Sequence, residues 1–120
     1  MPIPSRVLAS GNSGLATTSI CGDGATGLTA TGSTAADALQ LSAVYNEVLN
    51  VSASTGVKLP PTEVGAMVLV YNRSGTTLTV YPFSTASTIN NGATSLSVTT
   101  TQRVLFIATS ATTWASIAGA

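Results

Sequence analysis

Histidine is absent from the 120-residue chain, cysteine occurs once, at Cys21, and lysine occurs once, at Lys58. Without an imidazole the chain lacks the commonest general base and metal ligand, and no Ser-His or Cys-His nucleophilic pair can be assembled. One thiol with no histidine cannot supply a zinc site, and Cys21 has no partner for an intrachain disulfide. A small buried or half-buried thiol is the expectation there.

Charge is equally scarce. Four basic and four acidic residues give a net charge of zero, about a third of the ~25% charged residues of an ordinary domain. Scattered singly along the chain, the basic residues cannot form the stripe that neutralises nucleic-acid phosphates or the cluster that holds anionic lipid. Asp23, Asp37, Glu47 and Glu63 are each isolated in sequence, so neither the carboxylate pair of a glycosidase nor the crowded oxygens of a calcium loop can be assigned to them; they read as solvated or turn-capping acids. The longest apolar runs, Ala66–Tyr71 and Val104–Ala108, fall far short of the ~20 residues that span a bilayer. The segment Met1–Ser10 lacks the pattern of a secretory signal, so synthesis in the cytoplasm is expected. Taken together, these absences predict a protein that is not an enzyme, carries no cofactor or metal, and binds neither nucleic acid nor membrane.

What the chain does have is hydroxyl groups, in 35 Ser and Thr residues. Thr suits the pleated strand and Ser the turn, so an all-β domain with a neutral polar surface is predicted. Turn residues punctuate short alternating runs every 8 to 12 residues or so from Gly27 onward, the spacing of a sandwich or barrel. Strands are predicted near Leu28–Thr31, Ala38–Ser42, Glu47–Ala53, Val57–Leu59, Ala66–Tyr71, Thr76–Tyr81, Ser95–Thr100, Val104–Ala108 and Thr113–Ile117. Between them, Asn72-Arg73-Ser74-Gly75 reads as a hairpin loop, Asn91-Gly92 as a tight turn, and Pro60-Pro61 and Pro82 as strand stops. Thr34 and Asp37 stand at the spacing of a weak capping box, enough for one helical turn within Ser33–Leu39. Gly22-Asp23-Gly24-Ala25-Thr26-Gly27 is glycine-rich but lacks the lysine of a phosphate-binding loop and reads as turn punctuation. Asn50-Val51-Ser52 and Asn72-Arg73-Ser74 match the glycosylation pattern and, without an export signal, read as chance. Residues 1–26, with Pro2, Pro4, Gly11 and Gly14 among Ser and Thr, show no sustained period and are expected to form an extended arm preceding a β-sandwich over residues 27–120. Ile3, Arg6, Val7 and Leu8 are its candidate contacts, since a purely disordered tail is poorer in apolar residues.

Two strands differ from the rest. Leu78 and Val80 alternate with Thr77 and Thr79, and Leu96 and Val98 with Ser95, Ser97 and Thr99, so each of those strands has one wet face. Met67-Val68-Leu69-Val70-Tyr71 and Val104-Leu105-Phe106-Ile107 are apolar at every position, which predicts cover on both faces. One face can pack on the opposite sheet; another subunit is the candidate cover for the other, the alternative being a loop of the chain itself laid over a central strand. Met67, Leu69, Tyr71, Leu105 and Ile107 are therefore the candidate interface. The aromatic residues Tyr45, Tyr71, Tyr81, Phe83, Phe106 and Trp114 could form a sugar-stacking platform, but most lie in apolar strands and are expected in the core.

The ordered set Gly27-Leu28-Thr29-Ala30-Thr31-Gly32, Asn46-Glu47-Val48, Gly56-Val57-Lys58-Leu59-Pro60, Val68-Leu69-Val70-Tyr71-Asn72, Leu78-Thr79-Val80-Tyr81-Pro82, Ile89-Asn90 and Trp114 resembles small virion structural proteins of tailed bacteriophages, over most of residues 27–117. That resemblance implies an antiparallel β-sandwich, often jelly-roll-like, acting as a capsid decoration (cement) protein. It further implies a homo-oligomer, commonly a trimer, bound to the major capsid protein on the outer surface of the virion. A tail-fibre or tail-tip module for host or carbohydrate recognition is the alternative.

Overall fold

The computed structural model describes residues 4–119, apart from the side chains of residues 7 and 18–21. The chain is mostly β, as its Thr-rich alternation predicts, with two short helices ahead of ten strands. Strands β1 (Gly24–Thr29), β3 (Tyr45–Asn50) and β5 (Met67–Asn72) stack side by side in one sheet, and β2 (Leu39–Gln40), β4 (Gly56–Lys58) and β6 (Leu78–Tyr81) in a second. The chain crosses from one sheet to the other at every step. All four pairings within these stacks are parallel, so residues 24–81 form a solenoid-like coil. Gly24 lies opposite Tyr45, and Tyr45 opposite Leu69.

After β6 the chain reverses. Strand β8 (Leu96–Val98) lies antiparallel beside β6, and β9 (Arg103–Ala108) antiparallel beside β5. Strand β10 (Thr113–Gly119) folds back on β9, and the short β7 (Thr88–Ile89) pairs parallel outside β10. The antiparallel sandwich or jelly roll expected from sequence is thus corrected: two sheets do face each other, but most pairings are parallel. Alternation reports which face a side chain occupies and is silent on strand direction. A parallel pair requires a crossover of a dozen or more residues, and here a strand of the opposite sheet supplies it.

Between the sheets lies the core. Val48, Val70, Val104, Phe106, Ile89 and Trp114 point inward from the larger sheet, and Val57, Leu78, Val80 and Val98 from the smaller one, joined by Leu41 and Leu59. Asn72 is buried at the corner between β5 and β6, where its amide donates to the carbonyls of Thr76 (2.8 Å) and Val98 (2.9 Å) and accepts from the Ser74 amide (3.0 Å) and hydroxyl (2.7 Å). This network turns the chain into the other sheet, so Asn72–Gly75 is a crossing between layers and not the expected hairpin loop. The Asn91-Gly92 turn is as expected: Asn90 (φ 53°) and Asn91 (φ 61°) both adopt positive φ, and Ile89 and Ala93 exchange hydrogen bonds across it. Strands β4 and β6 end just before Pro60-Pro61 and Pro82, as predicted.

The predicted helical turn at Thr34 is present, with the Ala38 amide donating to the Thr34 carbonyl at 3.0 Å. The Asp37 carboxylate accepts from the Thr34 hydroxyl (2.7 Å), the Thr34 amide (2.8 Å) and the Ser33 amide (3.1 Å). Foremost the Thr34 hydroxyl, and then its amide, hold this carboxyl below its ordinary value of 3.8. The unfolded carboxyl titrates at the ordinary value and the folded one lower, so its contribution to stability is complete above pH 3.8 and is lost as the pH falls below it. In thermal melts, Asp37→Asn is therefore expected to lie below the parent at neutral pH and to converge with it as the pH drops under 3.8.

The N-terminal region departs from the extended arm expected of it. Pro4–Ala9 forms α1 and Gly14–Cys21 forms α2. Pro4 suits a first helical position, Gly11 ends α1 at φ 97°, the Ser13 hydroxyl caps α2 by accepting from the Ala16 amide, and Gly22 ends α2 at φ 80°. Helices of six and eight residues hold too few turns for a 3.6-residue period to register. Strand β1 also begins at Gly24, ahead of the expected boundary at Gly27.

Candidate functional site

Strands β5 and β9 lie side by side in the middle of the larger sheet, with Met67 opposite Ile107, Leu69 opposite Leu105 and Tyr71 opposite Arg103. Because successive side chains point to opposite faces, Val68, Val70, Val104, Phe106 and Ala108 enter the core while Met67, Leu69, Tyr71, Leu105 and Ile107 share the outer face. All five interface residues predicted from sequence are thus brought together on one surface.

The neighbouring strands extend that surface. In register, Tyr45, Leu69, Leu105 and Ile117 form one row across β3, β5, β9 and β10, and Met67, Ile107 and Ala115 form the next. Met67 is 51% exposed and Ile117 59%, while Leu69, Leu105 and Ile107 are half-buried, screened only in part. Exposed Leu49 lies on the same face of β3 but beyond Glu47, outside these rows. Scattered exposed apolar residues are ordinary on a protein surface; adjoining rows of partly exposed ones are not. A polar border closes one side: Glu47, Tyr71 and Arg103 form the third row. There the Arg103 guanidinium sits 4.0 Å from the Tyr71 ring centroid, and Arg73 pairs with Glu47 at 3.4 Å.

Tyr45 and Ile117 were not among the interface residues expected from sequence. The signal for Ile117 was available, since an inward Trp114 in an alternating strand puts Ala115 and Ile117 on the outside. For Tyr45 it was not, because the strand was expected to start at Glu47.

The sheet edges are poor alternatives for association. Strand β1 is interrupted by register shifts on either side of Leu28, with Gly27 at φ 67°, and the other edges, β2, β7 and β8, are two or three residues long. Bulged or very short edges resist strand addition. The large outer face is the broader opportunity.

Of the four arm residues, Arg6 is exposed and Leu8 is 48% exposed on α1, whereas Ile3 and the Val7 side chain lie outside the described residues, as does the Cys21 side chain. Three of the four acids serve local structure: the Asp23 carboxylate accepts from the Val44 amide, Asp37 caps its turn, and Glu47 pairs with Arg73. Among the described residues, no three His, Cys, Asp or Glu side chains come together to hold a metal ion, and no helix is long and apolar enough to cross a membrane. No family model matches the chain, and neither a curated protein nor a solved structure matches it.

Proposed function

We propose that this chain is a structural, non-catalytic protein that assembles with copies of itself through the outer face of its larger sheet. The observation that supports this is the adjoining pair of apolar rows, Tyr45–Leu69–Leu105–Ile117 and Met67–Ile107–Ala115. Burying apolar surface is favourable by about 25 cal/mol per Å², and a specific interface covers about 800 Å² per partner. A face four strands wide, bordered by the Glu47–Arg73 pair and the Arg103–Tyr71 contact, has the make-up of such an interface: apolar at its centre and polar at its rim.

On the resemblance of its strand motifs to small phage virion proteins, the assembly is proposed to be a homo-oligomer, with a trimer favoured, that decorates the outer surface of a bacteriophage capsid by contacting the major capsid protein. A cement protein works mechanically, adding weak bonds across seams in a shell, and requires no reactive side chain. The exposed Arg6 and Leu8 on α1, with Ile3 and Val7, are the proposed capsid contacts. Deleting Pro2–Ser10 is expected to weaken binding to undecorated capsids without moving the thermal melt, and undiminished binding rejects the arm's role.

Sedimentation equilibrium at micromolar concentration tests self-assembly, which a monomer there refutes. Electron microscopy of particles with and without the protein tests its place in the virion. A copy number near that of the capsid subunit is expected, and a few copies per particle would point to a fibre instead.

A further inference from the structure

On the smaller sheet, away from the apolar rows, two clefts adjoin. One of about 260 Å³ lies between the turn at Ser33–Ala35 and the segment Tyr81–Ser87, and one of about 300 Å³ continues it past Phe83 and Lys58; Ala35, Ser84 and Thr85 line both. Lys58 and Tyr81 face outward here because Val57 and Val80, their neighbours in β4 and β6, point into the core.

The floor is carbon and the rim is hydroxyl. Tyr81 and Pro82 line the first lobe and Phe83 the second, while Thr85 and Thr94 are exposed at the edge. The Tyr81 ring is fixed twice over. Its hydroxyl donates to the Ser33 carbonyl at 2.7 Å, and it lies over Gly56 so closely that an added Cβ would stand 2.8 Å from the ring. The Lys58 ammonium is 5.5 Å from the Phe83 ring centroid. No acidic side chain lines either lobe, and the only ion pair among the described residues is Arg73–Glu47, so Lys58 offers a cation with no carboxylate bound to it.

Each lobe has the room of one sugar ring, near the lower end of ligand-site volumes of roughly 300 Å³. A pyranose presents C–H groups on its faces and hydroxyls around its edge, which matches aromatic floors ringed by Ser and Thr. We propose that this double cleft binds a carboxylated saccharide, one ring against Tyr81 and its acidic neighbour on Phe83 with the carboxylate on Lys58. An ammonium–carboxylate hydrogen bond is roughly twice as strong as a neutral one, which selects acidic over neutral sugars. The site faces away from the proposed assembly surface and does not depend on it.

Amide chemical-shift mapping with 3′-sialyllactose, digalacturonate and lactose tests this. Either acidic sugar is expected to shift the amides of Ser33–Ala36, Tyr81 and Phe83–Thr85 at concentrations up to about 10 mM, a range that reveals millimolar dissociation constants, and lactose is expected to bind at least about tenfold more weakly. Lys58→Gln should erase that tenfold preference, and Thr85→Arg, made at an exposed position, should block all three without disturbing the fold. Leu105→Asp should bind the acidic sugars undiminished, which separates this site from self-assembly. Absence of shifts with all three sugars overturns the proposal, and so does equal binding of lactose and the acidic sugars.

Discussion

Leu105→Asp is expected to convert an oligomer into a folded monomer. Leu105 stands between Leu69 and Ile117 on the outer face of the larger sheet, so its replacement places a carboxylate at the centre of the proposed contact. Burying that charge without a partner costs several kcal/mol, and disrupting two or three copies at once multiplies the penalty. In a lone protomer the same carboxylate meets water. Sedimentation velocity should show the slower species, with a far-ultraviolet spectrum unchanged from the parent. Arg103→Ser, on the polar border, should shift the association constant far less. An oligomer that survives Leu105→Asp refutes the assignment of the interface to this face.

The adjacent residue in sequence should behave in the opposite way. Phe106 is fully buried between the sheets, and truncating a buried Phe to Ala costs about 3–5 kcal/mol through lost burial and the cavity left behind. For a domain whose total stability is about 5–15 kcal/mol that is a large share, and the melting temperature should fall by on the order of 10–20 °C. Where Phe106→Ala yields no folded protein, Phe106→Leu provides a milder loss by the same mechanism. Residues 105 and 106 thus report on two different interfaces, one between copies and one between sheets. If Phe106→Ala melted like the parent, the inward assignment of Val104, Phe106 and Ala108 would be wrong, and the outward one with it.

Both predictions rest on what could be read from the chain itself. The uninterrupted apolar stretches at Met67–Tyr71 and Val104–Ile107 predicted cover on both faces, and the structure buries one of them, with Val68, Val70 and Phe106 inside and Leu69 and Leu105 half-buried on the outer face. The proline stops and the Asn91-Gly92 turn were likewise legible, because their backbone restrictions act locally. Strand direction was not. Whether Tyr71 leads through a hairpin or across to the other sheet depends on the buried hydrogen bonds of Asn72 with Ser74, Thr76 and Val98, and the last of these lies 26 residues on. Strand β7 escaped because a lone buried Ile89 beside Thr88 makes no alternating run. The cleft drew on both kinds of information. Tyr81 and Phe83 were visible as aromatics in or near a strand, but only the fold brings Ser33–Ala35 to the first and Ala35–Ala36 to the second.

One consequence of the reversal after β6 concerns how such a molecule could change length in evolution. Duplication of a strand pair within residues 24–81 would add a rung whose neighbours run in the same direction on both sides. The outer ladder of β5, in contrast, is occupied by β9 running the opposite way, so a chain that kept winding beyond the third rung would meet a strand of the wrong polarity. The reversal therefore sets a terminus, and growth by repetition is confined to the amino-terminal side of it.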